Sequence, residues 1–111
     1  MSEKINLSTA FSNQREMNFN ELLQLLKRYG PKFWSWGAHA FQNIGNKALR
    51  MTVNGHHHKG HVYISVNGMD LYDVLLTSRQ GTKVQEIKDL YFDQLFEAID
   101  NRIERIAAYR D

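Results

Sequence analysis

The feature that most constrains this chain is a change of period. Over residues 18–29 the apolar side chains recur at helical spacing, and over residues 47–66 they recur at every second position. The first pattern buries one stripe of a helix and the second one face of a sheet, so helix and sheet must share a core.

The helical stretch, MNFNELLQLLKRYGP, carries its own boundaries. Asn18 is placed to cap it with Glu21 three residues on, and Met17 and Leu22 take the two positions of a hydrophobic staple. Leu22, Leu23, Leu25, Leu26 and Tyr29 supply the apolar face, and Gly30 followed by Pro31 stops the helix. The spacing predicts a helix over residues 18–29. A second helix is predicted in DLYFDQLFEAIDNRIERIAAY, with Asp89 as N-cap. Tyr91, Leu95, Ile99, Ile103 and Ile106 form its stripe, Phe92 and Phe96 widen it, and Asp93, Glu97, Arg102, Glu104 and Arg105 form a solvated side.

Between the helices the chain reads as extended. FWSWGAHAF places Trp34 and Trp36 on one side of a strand with a bend at Gly37. KALRMTV sets Leu49, Met51 and Val53 against Ala48, Arg50 and Thr52, and HVYISV sets Val62, Ile64 and Val66 against His61, Tyr63 and Ser65. In the connection VNGMD, a two-residue turn would bring Asp73 onto the apolar face opposite Val62. A three-residue loop pairs Ile64 with Tyr72 and Val62 with Val74 and sends Asp73 outward, the register expected because burying a bare carboxylate is costly. TKVQEI either continues the preceding strand or begins the last helix. The expected fold is α+β: helix, three- to four-stranded antiparallel sheet, helix, with both helices packed on one sheet face. At 111 residues the chain fits one domain, taken as residues 18–109 behind a polar N-terminal tail of residues 1–17.

No cysteine is present, which excludes disulfides and thiolate metal sites. The first seventeen residues lack an apolar signal region, and no apolar run reaches membrane-spanning length. The expectation is a cytoplasmic protein of a bacterial or phage-infected host cell, with no membrane partner.

The net charge of +2 conceals an asymmetry. Residues 22–69 contain no Asp or Glu, yet they hold Lys27, Arg28, Lys32, Lys47, Arg50, Lys59 and all five histidines. From Asp70 onward nine acids face six bases. A carboxylate-free stretch of this kind can present a positive field to anions, provided that folding gathers its cations.

Within it lies NGHHHKGHV. A hairpin tip of glycine and polar residues accounts for this composition without any function. A zinc or nickel site from His56, His58 and His61 has the right ligand type, but no carboxylate is near to orient the rings and Lys59 would repel a dication, so no metal is expected. The third reading is anion contact, with His56, His57, His58 and Lys59 at the tip and Arg50 and Tyr63 along the sheet. Exposed aromatics interleaved with cations are what single-stranded nucleic acid binders use. Trp34, Trp36, Tyr63 and Tyr72 are the aromatic candidates. The register assigns Tyr72 to the core, and burial is the expectation for the two tryptophans.

Three short motifs, Gly37-Ala38 with Phe41, Asp70 with Tyr72-Asp73-Val74, and Tyr91 with Asp93-Gln94-Leu95, resemble a G-A-x-x-F, D-x-Y-D-V, Y-x-D-Q-L pattern. That pattern occurs in small uncharacterised proteins of phages, prophages and bacterial mobile elements. The resemblance spans roughly residues 34–99, and the HHHK loop and IERIAAYRD depart from it. It implies a mobile-element origin and a bacterial cytoplasm, and it carries over no catalytic or binding residue.

No phosphate-cradling glycine loop, HExxH, cysteine nucleophile or serine elbow is present, so no enzyme, cofactor or small-molecule substrate is expected. The functional expectation is a non-enzymatic accessory protein that binds nucleic acid, single-stranded and with weak sequence preference, through a basic sheet or hairpin surface. The alternative is a protein-interaction module that self-associates as a homodimer through strand edges and its last helix.

Overall fold

A computed structural model describes residues 5–55 and 58–103. Its centre is a five-stranded antiparallel sheet in which each strand pairs with the next along the chain: β1 (His39–Ile44), β2 (Ala48–Asn54), β3 (Lys59–Val66), β4 (Tyr72–Thr77) and β5 (Lys83–Leu90). Helices lead and trail it. The single turns α1 (Leu7–Ala10) and α3 (Pro31–Trp34) flank α2 (Phe19–Lys27), and α4 (Phe92–Ile103) follows the sheet. The class is therefore α+β with an antiparallel sheet, but with five strands instead of three or four. The additional strand is TKVQEI, which neither extends β4 nor starts the helix. A turn closed by Ser78 N–H to the Thr82 carbonyl (2.8 Å) folds it back as β5.

Local chemistry explains where the elements begin. Asn18 caps α2 as its sequence predicts, its Oδ1 accepting from Glu21 N–H at 2.9 Å. FWSWGAHAF is a strand only from His39 onward. Pro31 opens a single helical turn, and Gly37, at φ 67°, turns the chain into β1. A helical turn rotates residues two apart to different sides, so Trp36 is fully buried while Trp34 stays 49% exposed. Nor is Asp89 a helix cap. At φ 60° it is the penultimate residue of β5, and α4 starts later, with Gln94 Oε1 accepting from Tyr91 N–H at 3.0 Å.

The β3–β4 connection is longer than the three residues expected. Asn67 organises it, its N–H donating to the Leu71 carbonyl and its side-chain oxygen accepting from Met69 and Leu71 N–H. The register becomes Val62 with Leu76, Ile64 with Val74 and Ser65 with Asp73. This differs from the expected pairing by two residues, an even slip, so every side chain keeps its face and Asp73 still points away from the core.

The main core lies between one sheet face and the two longer helices. Leu22, Leu23 and Leu26 of α2 and Leu95, Phe96, Ile99 and Ile103 of α4 pack on Leu49, Met51, Val53, Val62, Ile64, Val74 and Leu76. Both helices thus share one face, as the patterning requires.

The second face is also covered. Residues 5–15, expected as part of a polar tail, run across it as a strap. Phe11 is buried on Tyr63, with ring centroids 5.4 Å apart, and together with Ala48 and Leu75 they form a smaller core edged by Ile5 and Ile44. The strap is pinned by Ile5 N–H to the Gly81 carbonyl (2.9 Å) and by Arg15 N–H to the Val66 carbonyl (2.7 Å). Gln14 Nε2 donates to Ser65 Oγ (2.7 Å) and to Asp73 Oδ2 (2.8 Å). Ile5 and Phe11 are too sparse to show a period, which is why the segment reads as a tail in sequence.

Candidate nucleic-acid interface

The sheet divides the cations of the carboxylate-free segment into two groups. Lys27, Arg28 and Lys32 belong to α2, its C-cap and α3, on the helical side. Arg50 and Lys59 alternate with core residues along β2 and β3 and so face the other way, and Lys47 Nζ donates to the Ser12 carbonyl of the strap at 3.0 Å. The expected single patch does not form. None of the six forms an ion pair among the described residues, where the pairs are Arg15–Asp70, Lys83–Glu86 and Lys88–Glu86.

Tyr63, expected as a stacking residue beside Arg50, is 2% exposed beneath Phe11 and cannot receive a base. His58 is also buried, at 7%. Its Nε2 lies 3.4 Å from the His61 carbonyl, and burial lowers its pKa below the ordinary histidine value, partly opposed by hydrogen bonds to the His61 and Thr77 backbone. His56 and His57 lie outside the described residues, as does the composite metal reading that includes His56. Among the described residues no group of three His, Asp or Glu is placed to hold a metal ion.

The helical side has the arrangement that the sheet lacks. Five aromatic rings form a ladder through the core: Tyr29 stacks on Phe96 (3.8 Å, 10°), Phe96 on Trp36 (4.6 Å, 24°), and Phe33 meets Trp36 (5.4 Å) and Trp34 (4.9 Å) edge-on. Its middle is buried, Phe33 and Trp36 completely, and its ends are open, with Tyr29 37% and Trp34 49% exposed. Trp36 Nε1 donates to Asp100 Oδ1 at 2.8 Å, which fixes the central ring. Phe33 also stacks on Phe41 of β1, over whose ring Lys27 Nζ sits at 6.0 Å. Two exposed rings, held from beneath, therefore lie in the same eight-residue stretch as Lys27, Arg28 and Lys32. Gly30, at φ 62°, makes the turn between them.

In the sequence only the three cations are assigned to a binding surface; Trp34, expected to be buried, is instead exposed, and Tyr29 is expected in the apolar stripe of α2. A tyrosine one residue before a glycine-proline stop sits at the helix edge, and that position is the signal for exposure. The motif residues behind the resemblance have structural duties instead. Gly37 makes a turn against Asn54, Asp73 accepts from Gln14, Asn67 and Asp89 N–H, and Gln94 caps α4. Among the described residues no helix is long and apolar enough to cross a membrane. No protein-family model, curated protein or solved structure matches the chain.

Proposed function

We propose that this protein is a non-enzymatic binder of single-stranded nucleic acid, and that the Tyr29–Trp34 platform is its contact surface. One observation carries the reading: the two exposed rings of the ladder are rigidly backed and flanked by Lys27, Arg28 and Lys32. Bases present a π-face whatever their sequence, so two such rings stack them without strong preference while the cations neutralise phosphates. The acids of α4, Asp93, Glu97 and Asp100, border Phe96 and make that side unfavourable for a polyanion. The strand would therefore run along the α2–α3 turn toward β1, where Lys27 and exposed His39 lie.

Fluorescence anisotropy with a labelled oligothymidylate tests this. Trp34→Ala and Tyr29→Ala each remove a stacking surface worth about 1–3 kcal/mol, a loss of roughly five- to 150-fold in affinity. Unchanged binding in Trp34→Ala, or no binding by the parent at low salt, overturns the proposal. The competing reading is self-association, favoured by the two open edges of the sheet at β1 and β5. Lys83, Glu86 and Lys88 along β5 are the charges that guard such an edge against pairing.

A further inference from the structure

We propose a second, separate site: β2, β3 and the β4–β5 turn assemble a phosphate-binding corner on the opposite sheet face, with Arg50, His61 and Arg79 as its donors. Three neighbouring strands deliver these residues. His61 pairs with Thr52 of β2 on one side and with Thr77 of β4 on the other, Arg50 is two residues before Thr52, and Arg79 is two residues beyond Thr77. Arg50 and His61 are half-buried, while Arg79 and Lys59 are exposed, so the cluster opens to solvent.

The ring of His61 is held in place, its Nδ1 3.2 Å from Thr52 Oγ1. Arg50 is held at one end by Gln42, whose Oε1 accepts from its NH2 group. Its Nε is buried and has no hydrogen-bond partner among the described residues. A guanidinium donor withdrawn from water and left unpaired is costly, and an oxyanion admitted by movement of the covering side chains would satisfy it. No described carboxylate pairs with Arg50, Arg79 or Lys59. Burial lowers the basicity of His61 first and the Arg50 charge lowers it next; a hydrogen bond to the Arg79 backbone opposes this, and the charges of Arg79 and His58 lower it further. Like charges converging without a counter-ion are a cost that a bound dianion removes. Two guanidinium forks and an imidazole suit the tetrahedral oxygens of phosphate better than a planar carboxylate.

The site lies across the sheet from Trp34, so it stands or falls independently of the proposed platform. The test follows the arginine Nε–H resonances of the full chain during titration with inorganic phosphate, against chloride at matched ionic strength. Saturable shifts of Arg50 and Arg79 with phosphate alone are expected, with affinity reduced about tenfold or more in Arg79→Gln. Arg79 lies on an exposed turn, so unchanged circular dichroism would show that the variant is folded. Non-saturating shifts, equal shifts with chloride, or parental affinity in Arg79→Gln overturn the proposal. Thymidine monophosphate and the dinucleotide TpT serve as competitors to separate the sources. Competition by the monophosphate alone assigns a terminal or free phosphate, and competition by TpT assigns the internal phosphodiester of a nucleic acid strand.

Discussion

His58 shows how a residue in a polar run acquires a structural role. It is folded inward where Gly60 leaves room: a Cβ at Gly60 would collide with the Thr77 carbonyl oxygen and press on His58 Nε2. Only a glycine lets β3 pass so close to β4. Burial holds the His58 pKa below the ordinary 6.5, so the folded chain resists a proton that the unfolded chain accepts. Above that value both states are neutral and the residue adds no pH dependence. As pH falls from 6.5 towards the lower folded value, stability is lost, and the loss is complete once pH has passed through it. His61, also depressed, shifts stability in the same direction, and neighbouring Arg50, Lys59 and Arg79 supply no negative charge to oppose it. The urea midpoint is therefore expected to drop between about pH 7.5 and about pH 5.5, and to drop less in His58→Gln. An equal drop in both proteins would assign the effect to other groups. None of this is visible in GHHHKGH, because the sequence shows a polar run and the burial of one member depends on where β4 passes.

At the scale of elements, the strap and the two long helices contrast in how legible they are. The boundaries of α2 could be read because Asn18, Glu21, Gly30 and Pro31 act locally, and the apolar stripe of α4 because it repeats. The strap has neither property. Among its described side chains only Phe11 is deeply buried, and its hydrogen bonds reach residues such as Asp73 that lie far along the chain. The same reason hid Tyr63: alternation correctly placed it on the second face, but nothing nearby in sequence announces a lid from the N-terminus. Phe11→Ala removes a buried aromatic from a small core and is expected to destabilise the protein by about 2–4 kcal/mol in denaturant titration. Leu7→Ala, in the same strap but 39% exposed, is expected to cost less than about 0.5 kcal/mol. Equal, small effects would mean that the strap contributes little to stability.

At the scale of the whole molecule, the sheet converts one run of charge into two surfaces. The absence of acids from residues 22–69 correctly marks the cationic part of the chain. It does not reveal that Lys27, Arg28 and Lys32 lie on one side and Arg50 and Lys59 on the other, because a count of charges along a chain carries no face. The split has a measurable consequence. An oligonucleotide short enough to occupy only the platform meets three cations, and each neutralised phosphate of a single strand contributes about 0.7 to the slope of log affinity against log salt. The expected slope is roughly −2, where six convergent cations would give roughly −4. Arg50→Gln and Lys59→Gln are expected to leave that slope unaltered, whereas Lys32→Gln is expected to make it shallower by about 0.7. A slope near −4 that falls on substitution at either face would mean that the strand wraps the edge of the sheet and joins the platform to the Arg50–Arg79 corner, so that the two surfaces act as one.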